Sequence, residues 1–142
     1  MEQEEESWNY KDLLRLTPAL VIAGVIFYFS SLSDPIPRPP PSTGPEVLLE
    51  LDLNTILHIC EYALLSFLVA FGSLQKTKGQ YLIAITGLYA LSDEIHQYFV
   101  PNRYFDIYDV IVDFIGVLIG FMAYLLVKNL MTKFKEEEII QE

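Results

Sequence analysis

The sequence predicts an all-α integral membrane protein, a four-transmembrane-helix bundle built as a single domain over residues 1–142. Three observations lead there. Hydrophobic residues make up 52% of the chain, although its formal net charge is −10. The apolar residues are not spread along amphipathic elements. They are gathered into four blocks of 17 to 21 residues, the length a helix needs to cross a bilayer core. The ionisable residues inside these blocks crowd toward one end of each.

The first block, LTPALVIAGVIFYFSSL, runs from Leu16 to Leu32 and carries no charge. Lys11 and Arg15 precede it, and Ser31-Leu32-Ser33 has the small-x-small form of a signal-peptide cleavage site. The leader MEQEEESW is acidic, however, and the apolar run is long enough to span, so a retained helix is expected. The following link, residues 34–54, holds six of the eight prolines between Pro35 and Pro45. An extended, polyproline-like segment is expected there, with VLLELDL as a short interfacial helix at its end. The second block is Ile56 to Leu74, and QKTKG then makes a tight helical hairpin. The third is Tyr81 to Val100, closed by a short turn at Pro101-Asn102-Arg103. The fourth is Ile107 to Val127, and the tail KFKEEEIIQE reads as a solvated end. The single cysteine, Cys60, lies in an apolar block and reads as a packing residue. The nine Lys and Arg residues form no run of the kind that tracks nucleic acid.

Basic residues set the orientation. Lys11, Arg15, Lys76, Lys78, Lys128, Lys133 and Lys135 fall on one side of a four-span bundle, and only Arg38 and Arg103 on the other. Both termini are therefore expected in the cytoplasm of a multi-pass cell-membrane protein. That orientation brings the polar residues to a common, extracytoplasmic depth. Ser30, Ser31 and Ser33 end the first span there. His58 and Glu61 begin the second, Asp93, Glu94, His96 and Gln97 end the third, and Asp106, Asp109 and Asp113 begin the fourth. Helical spacing groups them further. His58 and Glu61 share a face beside Tyr62, and so do Asp93, His96 and Gln97. Asp106, Asp109 and Asp113 form a stripe continued by Gly116 and Gly120, a G-x-x-x-G that admits a close helix neighbour.

The segments HICEYALLSFLVAFG and SDEIHQYFVPNRYFDIYDVIVDFIGVLIG resemble the VanZ-like family. Its pattern has a His with a Tyr four residues later, here His58 and Tyr62. It continues with an Asp-Glu-x-x-Gln run, an Arg, an Asp-x-x-Asp pair and a Gly-rich helix. The serine pair in FYFSSLSD is also similar. Two positions depart: Asn54 and Thr55 stand where the family often has Asp-Lys, and Asp113 where it often has Asn. The resemblance implies a membrane fold and a setting of glycopeptide resistance, in which members lower susceptibility to teicoplanin. It implies no particular reaction.

Six carboxylates, Glu61, Asp93, Glu94, Asp106, Asp109 and Asp113, face Arg103 and two histidines as balancing groups. Charge in the hydrocarbon region costs several kcal/mol unless paired, wet or neutralised. Three chemistries answer that cost. A divalent metal on His58, Glu61, Asp93, His96 and Asp109 would suit mixed nitrogen and oxygen ligands and would activate water against a phosphate or amide. Without metal, His58 or His96, tuned by Glu61, Asp93, Glu94 or Asp109, would serve as general base or proton carrier. Arg103 would then hold the anionic group of a lipid-linked or cell-wall-related ligand, with Gln97, Asp106, Asp113, Ser30, Ser31 and Tyr62 around it. Such a site serves chemistry or headgroup translocation, the latter calling for an oligomer. The third option is a polar network that only pins the helices together.

Overall fold

The computed structural model describes residues 9–33, 53–73 and 76–141. Within them the chain is all-helical: α1 (Tyr10–Ser30), α2 (Leu53–Ser73), α3 (Gly79–Tyr98) and α4 (Ile107–Gln141). The acidic leader and nearly all of the proline-rich link, with its expected interfacial helix, lie outside the described residues. Three of the helices, α1, α2 and α4, are long and apolar enough to cross a membrane. α3 has the length, but Asp93, Glu94, His96 and Gln97 lower its hydropathy.

α1 begins six residues before the expected span because Asn9 starts it with a capping box. The Asn9 side chain accepts from the Lys11 and Asp12 N–H groups at 2.9 and 3.2 Å, and Asp12 accepts from the Asn9 N–H at 3.0 Å. Three backbone donors at the helix start are satisfied in this way. Asp12 also meets the Lys76 ammonium at 2.7 Å, which ties the start of α1 to the α2–α3 hairpin. α4 runs 35 residues, well past the expected end at Val127. The apolar run stops there, but Lys, Leu, Met and Glu sustain helix, and no Gly or Pro interrupts them.

α2 is the centre of the bundle. It packs on α1, α3 and most closely on α4, whereas α1 and α4 do not pack on each other among the described residues. The close α2–α4 approach rests on the glycine stripe. A Cβ at Gly116 would lie 2.7 Å from the Ile59 carbonyl oxygen, and one at Gly120 would run into the backbone of Ala63. Ala19, Ile26, Tyr62, Leu65, Ala90 and Val117 fill the space at mid-bundle, and Ala70, Leu82 and Tyr124 fill it toward the far end.

The polarity of the molecule is inverted relative to a water-soluble bundle. Leu20, Val25, Ile85, Leu88, Ile119 and Met122 are exposed, while His58, Asp93, Glu94, Gln97, Asp109 and Asp113 are buried. Apolar surface outside and ionisable groups inside is the pattern expected where lipid is the solvent.

Candidate functional site

Most of the buried polar residues, His58, Asp93, Glu94, Gln97, Asp109 and Asp113 among them, gather at one end of the bundle, where α2 and α4 begin and α1 and α3 end. His58 sits five residues into α2 and Asp113 six residues into α4. Their side chains meet with His58 Nδ1 and Asp113 Oδ1 2.8 Å apart. The approach is set by the glycine stripe one and two turns further on, which holds α4 against α2 at Ile59 and Ala63. On the opposite wall, Ser30 at the end of α1 donates its hydroxyl to Asp93 Oδ2 at 2.7 Å, and Gln97 Nε2 donates to the same oxygen at 3.1 Å. Asp93 thus joins α1 to α3 through one oxygen. Tyr62 is fully buried beside it, its ring 6.4 Å from that of Tyr89. The Tyr89 hydroxyl donates to the Ala23 carbonyl at 2.7 Å and adds a second polar tie from α3 to α1.

Between these two groups lies a cavity of about 290 Å³, lined by Phe29, Ser30, Asn54, Leu57, His58, Glu61, Asp93, Gln97 and Arg103. Glu61 is part-buried in its wall, within electrostatic reach of His58, Asp113, Asp93 and Arg103. Arg103 extends from the α3–α4 turn, its Nη2 donating to the Phe29 carbonyl at 3.5 Å. The turn itself is specified by sequence. The Arg103 N–H bonds the Val100 carbonyl at 3.1 Å, with Pro101 second and Asn102 third at a φ of 63°. Proline followed by a positive-φ residue is the signature of a type II turn, and asparagine tolerates that region.

Glu94 and Asp106 organise the entry to α4. The Asp106 N–H donates to Glu94 Oε1 at 2.6 Å, and Asp106 Oδ1 accepts from the Tyr108 N–H at 2.8 Å. Asp106 therefore stands just before α4 as its N-cap, while Asp109 and Asp113 alone carry the carboxylate stripe into the helix interior. Asp109 is buried within electrostatic reach of His58 and Glu94.

The expected residues do not all meet. His96 does not share the inward face with Asp93 and Gln97. It lies at the rim, stacked on Phe27 of α1 with ring centroids 4.6 Å apart, its Nε2 3.0 Å from the Ser31 hydroxyl. Sixty degrees of rotation around α3 separates it from Asp93, and an aromatic neighbour takes it up. The metal set of His58, Glu61, Asp93, His96 and Asp109 is accordingly not assembled. Among the described residues no three His, Cys, Asp or Glu side chains are gathered as metal ligands. Asn54 and Leu57 line the cavity without having been expected there. Asn54 had a signal: it is one of the two positions that depart from the family pattern just before His58.

A family model described as VanZ/LLP1 matches residues 2–128. The chain belongs to the VanZ/LLP1 family. No curated protein and no solved structure matches it. The match covers the polar residues at the site end, from Ser30 through Asp113. Of the residues that carry the resemblance, His58, Asp93, Gln97 and Arg103 line one cavity, and Glu94 accepts from the Asp106 N–H at the start of α4.

Proposed function

We propose that this VanZ/LLP1 family member crosses the cell membrane four times with both termini in the cytoplasm. In this reading its polar cavity opens to the extracytoplasmic side and recognises a cell-envelope molecule in a glycopeptide-resistance-type role. The observation that carries the reading is one cavity bounded by two separately held groups, His58–Asp113 and Ser30–Asp93–Gln97, with Arg103 at its edge. Counting α3 as a span is supported by its outward face. Tyr81, Ile85, Leu88 and Ile95 are exposed, while its polar residues Thr86, Asp93, Glu94 and Gln97 point into the bundle. The orientation is supported by the seven-to-two distribution of basic residues. A guanidinium beside several carboxylates suits a ligand with both an anionic group and hydroxyl or amine donors.

A second reading, chemical modification of that molecule, is favoured by His58 in particular. With the Asp113 carboxylate accepting from Nδ1–H, Nε2 is the nitrogen that would take a proton from a bound hydroxyl or water. The test is teicoplanin susceptibility of a host expressing the chain, compared for wild type and Asp93→Asn, with melting temperature in detergent measured alongside. Loss of the resistance effect at unchanged melting temperature supports a ligand site. Loss that only tracks stability supports a network that holds helices together. A wild-type chain without effect on teicoplanin or any other envelope-active compound would remove the resistance role.

A further inference from the structure

The opposite end of the bundle carries a groove unconnected with the polar cavity. It forms because α1 and α4 both pack on α2 but not on each other. Its apolar lining includes Phe67 and Phe71 of α2 and Tyr124 of α4, and its basic lining is Arg15 of α1 with Lys128 and Lys135 of α4. The volume is about 740 Å³. Spacing explains the α4 wall: positions 124, 128, 131 and 135 recur every three or four residues and lie along one helix face. The extension of α4 past Val127 is what carries Lys128 and Lys135 to this height. At 1.5 Å per residue the helix is about 52 Å long against a hydrocarbon core of about 30 Å, so its last turns stand in or beyond the headgroup region. Of the acidic residues nearby, Asp12 is engaged by Lys76 at 2.7 Å and lies within electrostatic reach of Arg15, while Glu136 and Glu137 do not line the groove.

We propose that this groove binds an anionic phospholipid of the leaflet at this end of the bundle. The phosphate sits among Arg15, Lys128 and Lys135, and one acyl chain runs along Phe67, Phe71 and Tyr124. The cations and the aromatic surface of the groove match the two ends of such a lipid, and a basic pocket between helices at the membrane surface is a physical basis for headgroup selection. A soluble phosphate would use the cations but not the apolar lining. The inference rests on the membrane-spanning reading above, and not on the function assigned to the polar cavity.

The full-length chain, purified in neutral detergent, would be titrated with short-chain phosphatidylglycerol, short-chain phosphatidylcholine and glycerol phosphate, with thermal stabilisation as the readout. Phosphatidylglycerol is expected to stabilise at lower concentration than phosphatidylcholine, and glycerol phosphate to have little effect. Lys128→Gln and Lys135→Gln, both at exposed positions, should each weaken the phosphatidylglycerol response by about fivefold. Lys133→Gln, the same charge change outside the groove, should leave it intact. Equal responses to the two lipids, equal weakening by Lys133→Gln, or full stabilisation by glycerol phosphate would each overturn the proposal. Extraction of the wild-type chain from native membranes by alkaline carbonate separates the two failures, because a released chain defeats the membrane reading itself, whereas a retained chain without lipid preference defeats only the groove.

Discussion

Replacing Gly120 by alanine tests the contact that brings His58 and Asp113 together. The added Cβ would meet the Ala63 carbonyl carbon at 2.7 Å and the Ala63 Cα at 2.8 Å, as well as the carbonyl oxygen. These are backbone atoms of a packed helix and cannot swing aside as a side-chain tip would, so α2 and α4 must move apart. Overpacking of this kind costs about 3 kcal/mol at the upper end of its usual range. Alanine recovers about 1 kcal/mol through helix propensity, which leaves a net loss of about 2 kcal/mol. Gly24 supplies the control. A Cβ there has nothing within 4 Å, so Gly24→Ala keeps only the propensity gain of up to about 1 kcal/mol. Both variants would be unfolded by denaturing detergent in mixed micelles, monitored by circular dichroism. The expected order is Gly24→Ala, wild type, Gly120→Ala. If Gly120→Ala unfolds no sooner than Gly24→Ala, the glycine stripe does not set the α2–α4 distance and the placement of the His58–Asp113 pair loses its explanation.

Other substitutions probe the site and its supports. His58→Ala should destabilise by about 3 kcal/mol, because it leaves Asp113 buried without its partner; the double variant His58→Ala/Asp113→Ala should cost less than the sum of the two singles in the same unfolding assay. Tyr89→Phe removes the hydrogen bond to the Ala23 carbonyl and should cost about 1 kcal/mol, read as a lower melting temperature with no change in ligand response. Asn102→Gly should be neutral in melting temperature because glycine accepts the positive φ of the turn, whereas Asn102→Val should lower it.

The helices and the end of the bundle that carries the site were legible because they follow from periodicity and length. Asp109, Asp113, Gly116 and Gly120 recur at helical spacing, so their common burial against α2 follows from the sequence pattern once the helix is granted. What spacing could not decide was which neighbour each side of α3 would meet. Asp93 and Glu94 differ by one residue and about 100° of rotation; one turns to Ser30 of α1, the other to the N-terminus of α4. His96 lies within the same broad sector as Asp93, but Phe27 captures it at the rim. The Asp12–Lys76 pair joins residues far apart in sequence at the end away from the site, and neither position carried a local cue beyond its charge. The length of α4 was missed for a different reason. Hydropathy marks where a helix leaves the apolar medium, not where its hydrogen bonding stops.

Whether the polar cluster serves packing or a ligand turns on how its carboxylates are used. Asp93 accepts two hydrogen bonds at Oδ2, Glu94 one at Oε1 and Asp113 one at Oδ1, while the second oxygen of each makes none within the described residues. A cluster maintained for packing alone gains from complete satisfaction and loses from every buried acceptor left over. Asparagine at position 93 separates the two cases. Its Oδ1 can still accept from the Ser30 hydroxyl and the Gln97 amide, and its volume matches that of aspartate, so helix pairing survives the change. It removes only the charge and one acceptor at the wall of the cavity. If the cluster is a packing device, Asp93→Asn should melt at or above the wild-type temperature and retain full activity in cells. If the cavity holds a ligand through Asp93, the same variant should melt as wild type and lose its effect. A variant that unfolds several degrees early would show that the charge on Asp93 itself holds α1 to α3, a role in helix pairing.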